Sequence, residues 1–208
     1  MPNIHLIEHP VSQQLLGQLR RSETEPAMFR QIAAKLTQFL AIEATRQLAT
    51  ETITVETPVA TANAVKLTQT IGIVPILRAG LAMTDPILDL IPNASVFHLG
   101  MYRDEETATP VEYYSKLTNS NPVDIALIVD PMLATGGSAS LAINALKSWG
   151  VPRLNLLTLI ASSEGIDRIT NECADVSIYT CAIDPILNAQ KYIVPGLGDA
   201  GDRIFNTL

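Results

Sequence analysis

Residues 125–138 read IALIVDPMLATGGS, and the order of residue types in this stretch decides the fold. Five apolar residues, Ile125 to Val129, run straight into an acid, Asp130, and then into a loop that ends Thr135-Gly136-Gly137-Ser138. An apolar run without polar alternation suits a strand buried on both faces, as in a parallel sheet. The segment 138–149 that follows has helical character, so the unit is strand, loop, helix. Outward from it the same unit recurs. IGIVPIL (71–77), ASVFHLGM (94–101) and LNLLTLIA (154–161) are further apolar runs, with helix-like segments at 81–90 and 163–170. Strand and helix in alternation predict an α/β fold, with an open, mainly parallel sheet flanked by helices. Upstream, Phe29, Ile32, Ala33, Leu36, Leu40 and Ala44 recur at steps of three and four within 26–49. That spacing predicts an amphipathic helix opened by Thr24 and Pro26, the main part of an N-terminal helical segment. Ile53–Pro58 alternates and is rich in β-branched residues, which predicts a strand at an edge. With no repeat, low-complexity tract or linker, residues 1–208 read as a single domain.

The composition narrows the functions. Of 208 residues, 47% are hydrophobic and 17% charged, enough for a core and too few charges for a solvated coil. Fourteen Lys and Arg against 21 Asp and Glu give a net charge of −7. A nucleic-acid partner would call for a basic face, so none is expected. No apolar run approaches the length of a membrane span and the first ten residues do not resemble a signal peptide, so the expectation is a cytoplasmic protein without a membrane partner. Cys173 and Cys181 are too few for a disulfide framework, and Cys181 sits in an apolar stretch that suits a buried, reduced thiol. His5, His9 and His98 form no zinc-binding pattern.

Polar chemistry gathers in the loops that follow the apolar runs. In an open α/β sheet, ligands bind beyond the carboxyl ends of the strands. Arg78-Ala79-Gly80, Arg103–Pro110 and Asp130–Ser138 all leave such ends and point to one crevice. Gly136 and Gly137 let successive N–H groups face one concavity, and the following helix start adds partial positive charge, so the loop can cradle a phosphate without a basic residue. The alternative is a plain connection with Ser138 as N-cap. A Walker A loop is excluded, because its lysine is missing. Asp130, an acid beside an anion cradle, suits the vicinal hydroxyls of a ribose, with a turn or capping role as its alternative. Near the C-terminus, YIVPGLGDAGDR (192–203) satisfies G-x-G-x-x-G at Gly196, Gly198 and Gly201, but no βαβ unit follows to make it a dinucleotide site. What remains is a glycine-rich loop whose backbone groups could pair with the edge of a flat heterocycle.

DPMLATGGS resembles the loop that binds 5-phosphoribosyl 1-pyrophosphate (PRPP) in type I phosphoribosyltransferases, in the form found in uracil phosphoribosyltransferases, where Pro131 stands in place of a second acid. YIVPGLGDAGDR is similar to the base-binding segment of the same family. FLAIEATR, VPILRAGL, MYRDEET and VEYYSKL occur in family order between the N-terminal EHP and these motifs, so the resemblance spans nearly the whole chain. Ala82 and Pro86 stand where relatives often carry glycine.

The resemblance implies the type I phosphoribosyltransferase fold with a β-hairpin and loop hood, and conversion of uracil and PRPP to UMP and diphosphate in UMP salvage. By the same resemblance Arg78, Arg103, Asp130, Pro131, Met132, Leu133, Ala134, Thr135, Gly136, Gly137, Ser138 and Asp199 would bind PRPP. Ile193, Gly198, Asp199 and Ala200 would line the uracil pocket, and Asp199, Arg103 and Asp130 would serve catalysis. Mg²⁺ would be bound mainly through PRPP, with no metal cage of the protein's own. GTP is implied as a possible effector, and a homodimer or homotetramer as the assembly. Arg78 and Arg103 suit pyrophosphate because a guanidinium grips phosphate oxygens in pairs, although local acids offer each a surface ion pair instead. Asp199 would either steer the ribose–base junction or help remove the N1 proton. A related phosphoribosyltransferase for another base is opposed by the YIVPGLGDAGDR loop; a pyrimidine-responsive RNA-binding regulator with residual transferase activity and a non-catalytic nucleotide-sensing or scaffolding subunit are the other competing readings. The acidic charge opposes the regulator, and the presence of Arg78, Asp130 and Gly136-Gly137 opposes the non-catalytic subunit.

Overall fold

The structure, a computed structural model, describes residues 3–103, 110–115 and 121–207, without the side chains of 99–103 and 110–115. Strand β1 (Ile4–Leu6) leads to helix α1 (Pro10–Arg20), whose N-cap is His9: its Nδ1 accepts the Val11 N–H at 3.2 Å. Helix α2 (Pro26–Ala44) buries all six residues of the predicted stripe. It opens with Pro26 at its first position, where the missing N–H is harmless, and Thr24 plays no capping part. It also stops short of the expected residue 49. The Thr45 hydroxyl donates to the Ala41 carbonyl at 2.6 Å, a local bond that competes with continued helix.

The strand expected at an edge is β2 (Thr50–Glu56), and among the described residues it pairs only with β3 (Thr61–Leu67), in an antiparallel hairpin outside the main sheet. Alternation marked it as a strand, but β2 has no buried residue to lay on a core. After β4 (Ile71–Leu77), a 3₁₀ turn at 79–83 precedes α3 (Thr84–Leu90), so the expected helix 81–90 is two pieces. Pro86 lies in the first turn of α3, where an N–H is dispensable. The run 94–101 divides into β5 (Ser95–Val96) and β6 (Leu99–Arg103), and β7 (Pro110–Ser115) pairs antiparallel with β6.

Next come β8 (Ile125–Val129), the short β9 (Met132–Leu133), α4 (Gly137–Trp149) and β10 (Arg153–Thr158). They are followed by β11 (Ile160–Ser162), α5 (Ser163–Glu172), β12 (Ser177–Thr180) and β13 (Ile183–Asp184). The last elements are β14 (Ile186–Leu187), β15 (Ile193–Val194) and α6 (Ala200–Phe205). The run 154–161 is therefore not one strand: β10 belongs to the main sheet, and β11 joins β9 and β13 in a smaller one.

The main sheet has eight strands in the order β1-β12-β10-β8-β4-β6-β7, with β5 beside β4, and every pairing except β6–β7 is parallel. Its middle strands feed two cores. Ile71, Ile73, Leu127, Val129 and Leu157 pack with Leu19, Phe29, Leu36, Leu40 and Ile87 of α1 to α3. Val74, Ile76, Ala126, Ile128 and Leu156 pack with Ala142, Ile143, Leu146 and Ile169 of α4 and α5. Burial of each such Leu or Ile contributes roughly 1.5–3 kcal/mol, which explains why these strands read as unbroken apolar runs. Asn155 and Thr158, both buried in β10, are polar exceptions: the Asn155 amide donates to the Ala44 carbonyl at the end of α2 (3.0 Å) and the Thr158 hydroxyl to the Ile160 carbonyl (2.8 Å). Both cysteines are free and buried, and burial pushes the Cys181 thiol up to about 11.

Candidate functional site

β4 and β8 lie side by side, with Pro75 opposite Val129, so Arg78 and Asp130 leave adjacent carboxyl ends. The Leu77–Arg78 peptide is cis. The Asp130 N–H donates to the Leu157 carbonyl of β10 (3.2 Å), which ties the start of the loop to the sheet. The Asp130 side chain is half-buried and ringed by protein; its pKa is raised to about 7. Burial is the main cause, the Met132 N–H opposes it, and the negative charge of Asp199 adds to it.

The loop 131–138 is held from behind. Pro131 accepts hydrogen bonds from the Leu159 and Ile160 N–H groups (3.0 and 3.2 Å), and β9 pairs with β11. The Ser162 hydroxyl donates to the Ala134 carbonyl at 2.6 Å and accepts from the Gly165 N–H at 2.9 Å. Pro131 and Leu133 are buried and Met132 and Ala134 half-buried, so these four form the frame of the cradle. Thr135 and Ser138 stay partly exposed, and among the described residues no hydrogen bond engages either side chain. The N-cap of α4 is Gly136, in place of Ser138. At φ 76° it adopts a left-handed conformation that side chains disfavour, and a Cβ there would sit 3.3 Å from the Gly165 carbonyl oxygen and Arg168 Cδ. Gly136 is thus required by the turn itself, and Gly137 follows it as the first, buried residue of α4.

The C-terminal segment closes the crevice. The glycine-rich loop runs directly into α6, whose N-cap is Asp199; its Oδ1 accepts the Asp202 N–H at 2.9 Å. Gly201, in the first turn, brings two distant residues together: a Cβ built there would lie 3.2 Å from Asp199 Oδ1 and 3.9 Å from Arg78 Nη2. Arg78, Asp199 and Asp130 therefore converge from three parts of the chain. Arg78 is well exposed and rests 3.4 Å from Asp202 Oδ1, so the ion pair that competes for it involves α6. Ile193 and Ala200 are buried beside the loop, whereas Gly198 is exposed, and its backbone makes no hydrogen bond among the described residues. Arg103 ends β6, the other neighbour of β4; its side chain and the loop 104–109 lie outside the described residues.

Three residues that the sequence did not single out support this site. Arg20 and Asp184 bind one another and the backbone of Gly196, and Arg203 holds the Leu197 carbonyl at 2.7 Å. Arg20 and Asp184 lie 164 positions apart, beyond any local pattern.

Residues 6–207 match the family model described as Uracil phosphoribosyltransferase. The chain is 51% identical over 207 residues to the uracil phosphoribosyltransferase of Roseiflexus sp. (strain RS-1), covering 100% of each chain. It is 47% identical to that of Malacoplasma penetrans, covering 97% of this chain and 98% of the relative. A solved structure of an Aquifex aeolicus protein superposes with a TM-score of 0.91 at 34% identity, covering 97% of both chains. The adenine phosphoribosyltransferase of Giardia lamblia shares the fold at a TM-score of 0.53 and 14% identity, over 84% of this chain and 85% of that one.

Proposed function

The chain belongs to the uracil phosphoribosyltransferase family and has the type I phosphoribosyltransferase fold, so it is a pentosyltransferase that makes UMP from uracil; from that premise we propose how its residues divide the work. The observation that carries the proposal is the meeting of Arg78 and Asp199 at Gly201, with Asp130, at the start of the loop that ends in 135–138, close enough to Asp199 to feel its charge.

The 5-phosphate of PRPP sits against the N–H groups of Gly136, Gly137 and Ser138 at the start of α4, with the Thr135 and Ser138 hydroxyls as further donors. Asp130 accepts hydrogen bonds from the ribose hydroxyls. Arg78 leaves Asp202 and grips the pyrophosphate in a bidentate manner, with Arg103 as a second clamp. Mg²⁺ fits this site: the charge of Asp199 lies close enough to Asp130 to raise its carboxyl, and two acids so placed suit a cation. Such an ion would be held chiefly by substrate oxygens and water, with Asp130 and Asp199 as the nearby protein acids, and would neutralise charge on the departing pyrophosphate.

Uracil lies against the exposed Gly198 backbone, with Ile193 and Ala200 behind it. The reaction breaks the bond from C1 of ribose to pyrophosphate and joins C1 to N1 of uracil, which loses a proton. Positive charge develops on the sugar and negative charge on the leaving group, so positioning and fixed charge supply the catalysis. One oxygen of Asp199 is committed to the Asp202 N–H, which leaves the other for the ribose–base junction or the N1 proton.

This reading also makes the protein a cytoplasmic enzyme of pyrimidine salvage and a homodimer or homotetramer. The hairpin of β2 and β3 supports an assembly, since it stands outside the main sheet and exposes Val59 and Val65. A GTP effector belongs to the same reading and is tested by adding GTP to the assay. The decisive experiment is conversion of labelled uracil to UMP with PRPP and Mg²⁺; no product with the folded native protein would refute the proposal.

A further inference from the structure

The backbone of Gly196 is gripped at both of its polar groups by a pair of side chains from elsewhere in the chain. Arg20, the last residue of α1, meets Asp184 in a bidentate pair, with Nη1 to Oδ2 at 2.7 Å and Nη2 to Oδ1 at 2.8 Å. Arg20 Nη1 also donates to the Gly196 carbonyl at 2.7 Å, and the Gly196 N–H donates to Asp184 Oδ2 at 3.0 Å. The four groups form a closed ring. Gly196 itself has φ 60°, and a Cβ there would collide with the Ile193 carbonyl oxygen, so the peptide is fixed by shape as well as by hydrogen bonds. At the next residue, Arg203 Nη1 takes the Leu197 carbonyl (2.7 Å) and the Leu19 carbonyl (3.0 Å), while its guanidinium lies 4.4 Å over the Phe29 ring. Successive carbonyls of the loop are thus bolted to the end of α1 just before Gly198, whose backbone is free.

We propose that the Arg20–Asp184 pair is a positioning device for pyrimidine recognition. By fixing the Gly196 peptide it sets the direction of the Gly198 and Asp199 backbone that reads the base, an inference that rests on the assignment of uracil to this loop. Its side chains are 22% and 7% exposed, so the pair is largely shielded from water. Such a pair adds little net stability compared with an apolar contact, but it does fix geometry. The planar fork of Arg20 donates three hydrogen bonds, two to Asp184 and one to the Gly196 carbonyl, a pattern that a lysine ammonium does not reproduce. Among the described residues the pair makes no hydrogen bond or ion pair to the 135–138 loop, which separates its effect from PRPP binding.

The test is steady-state kinetics of Arg20→Lys, which keeps the charge, and of Asp184→Asn, each with a melting curve. The expected result is a uracil KM raised about tenfold or more, with the PRPP KM changed less than about twofold and preference for uracil over cytosine reduced. Val176→Ala, in the core on the other side of the sheet, serves as a variant of lowered stability and should leave the uracil KM unchanged. Gly198→Val tests the base-binding assignment directly. If Gly198→Val raises the uracil KM while folded Arg20→Lys leaves it unchanged, the positioning role is overturned and base binding stands. If Gly198→Val has no effect, both fall. Equal rises in the two KM values, or a matching rise in Val176→Ala, would also overturn the positioning role. Should Asp184→Asn fail to fold, Arg20→Lys alone decides.

Discussion

Arg78 Nη2 lies 3.4 Å from Asp202 Oδ1, joining the residue that leaves β4 to one 124 positions later in α6. With side-chain exposures of 61% and 32%, the pair is wet, and such contacts contribute about 0–1 kcal/mol. Arg78 can therefore leave it at little cost when pyrophosphate arrives. Asp202→Asn is expected to keep kcat within about threefold of native, whereas Arg78→Lys should lose about 100-fold in kcat/KM for PRPP, because a fork becomes a point charge. Initial rates over a PRPP series check both, and near-native turnover by Arg78→Lys would return the residue to a structural role.

Asp130 gives the pH dependence. With its pKa raised to about 7, the carboxylate proposed to accept ribose hydroxyls is half formed near neutrality. Accordingly kcat/KM for PRPP should climb between pH 6 and 8, and Asp130→Asn should be weak and lack that rise. The linkage to stability has the opposite sign. A carboxyl whose folded pKa is raised stabilises the fold fully below its ordinary range, near 4, and that contribution is lost as pH rises through about 7. Asp130→Asn should thus melt higher than native at pH 8, with a gap that narrows towards pH 4. A gap independent of pH would exclude ionisation as the cause.

The phosphate cradle is tested at its two glycines. Gly136→Ala forces a side chain into a left-handed conformation, worth roughly 1–2 kcal/mol, and into a 3.3 Å contact with Gly165 O, so its melting temperature should fall. Gly137→Val should instead raise the PRPP KM by about tenfold or more while the uracil KM changes little. Unchanged PRPP kinetics in a folded Gly137→Val would remove the cradle from the mechanism.

Base recognition and chemistry separate at Asp199. Cytosine presents an amino group where uracil has a carbonyl, so backbone groups around Gly198 would be left unpaired, at roughly 1–3 kcal/mol for each lost bond. The native protein should discriminate against cytosine by about 100-fold or more. Asp199→Asn should lower kcat and leave PRPP binding, measured by titration calorimetry, largely intact. Comparable use of the two bases would sink the assignment.

The parallel core was legible because burial on both faces writes itself as an apolar run, as in β4 and β8, and because α2 repeats its buried residues at helical spacing. The strand–loop–helix unit at 125–149 was legible too, since strand, acid and glycine pair are contiguous. Partnership was not. β2 announces a strand by alternation but carries no mark of pairing solely with β3, and nothing local divides 154–161 between two sheets. Ser138 has the residue type of an N-cap, yet the left-handed turn at Gly136 takes the position. The ring of Arg20, Asp184 and Gly196 joins three separate stretches, so only the folded chain reveals it.

The uneven burial of the arginines divides the enzyme by ionic strength. Arg78 works in open water, where counter-ions at about 0.15 M screen charges beyond roughly 8 Å and compete for phosphate. Arg20 and Asp184 lie largely out of reach of those ions. Rising potassium chloride should therefore blunt the capture of PRPP while the preference for uracil over cytosine holds, so that one solution variable loosens the grip on the charged substrate and leaves the choice of the neutral one untouched.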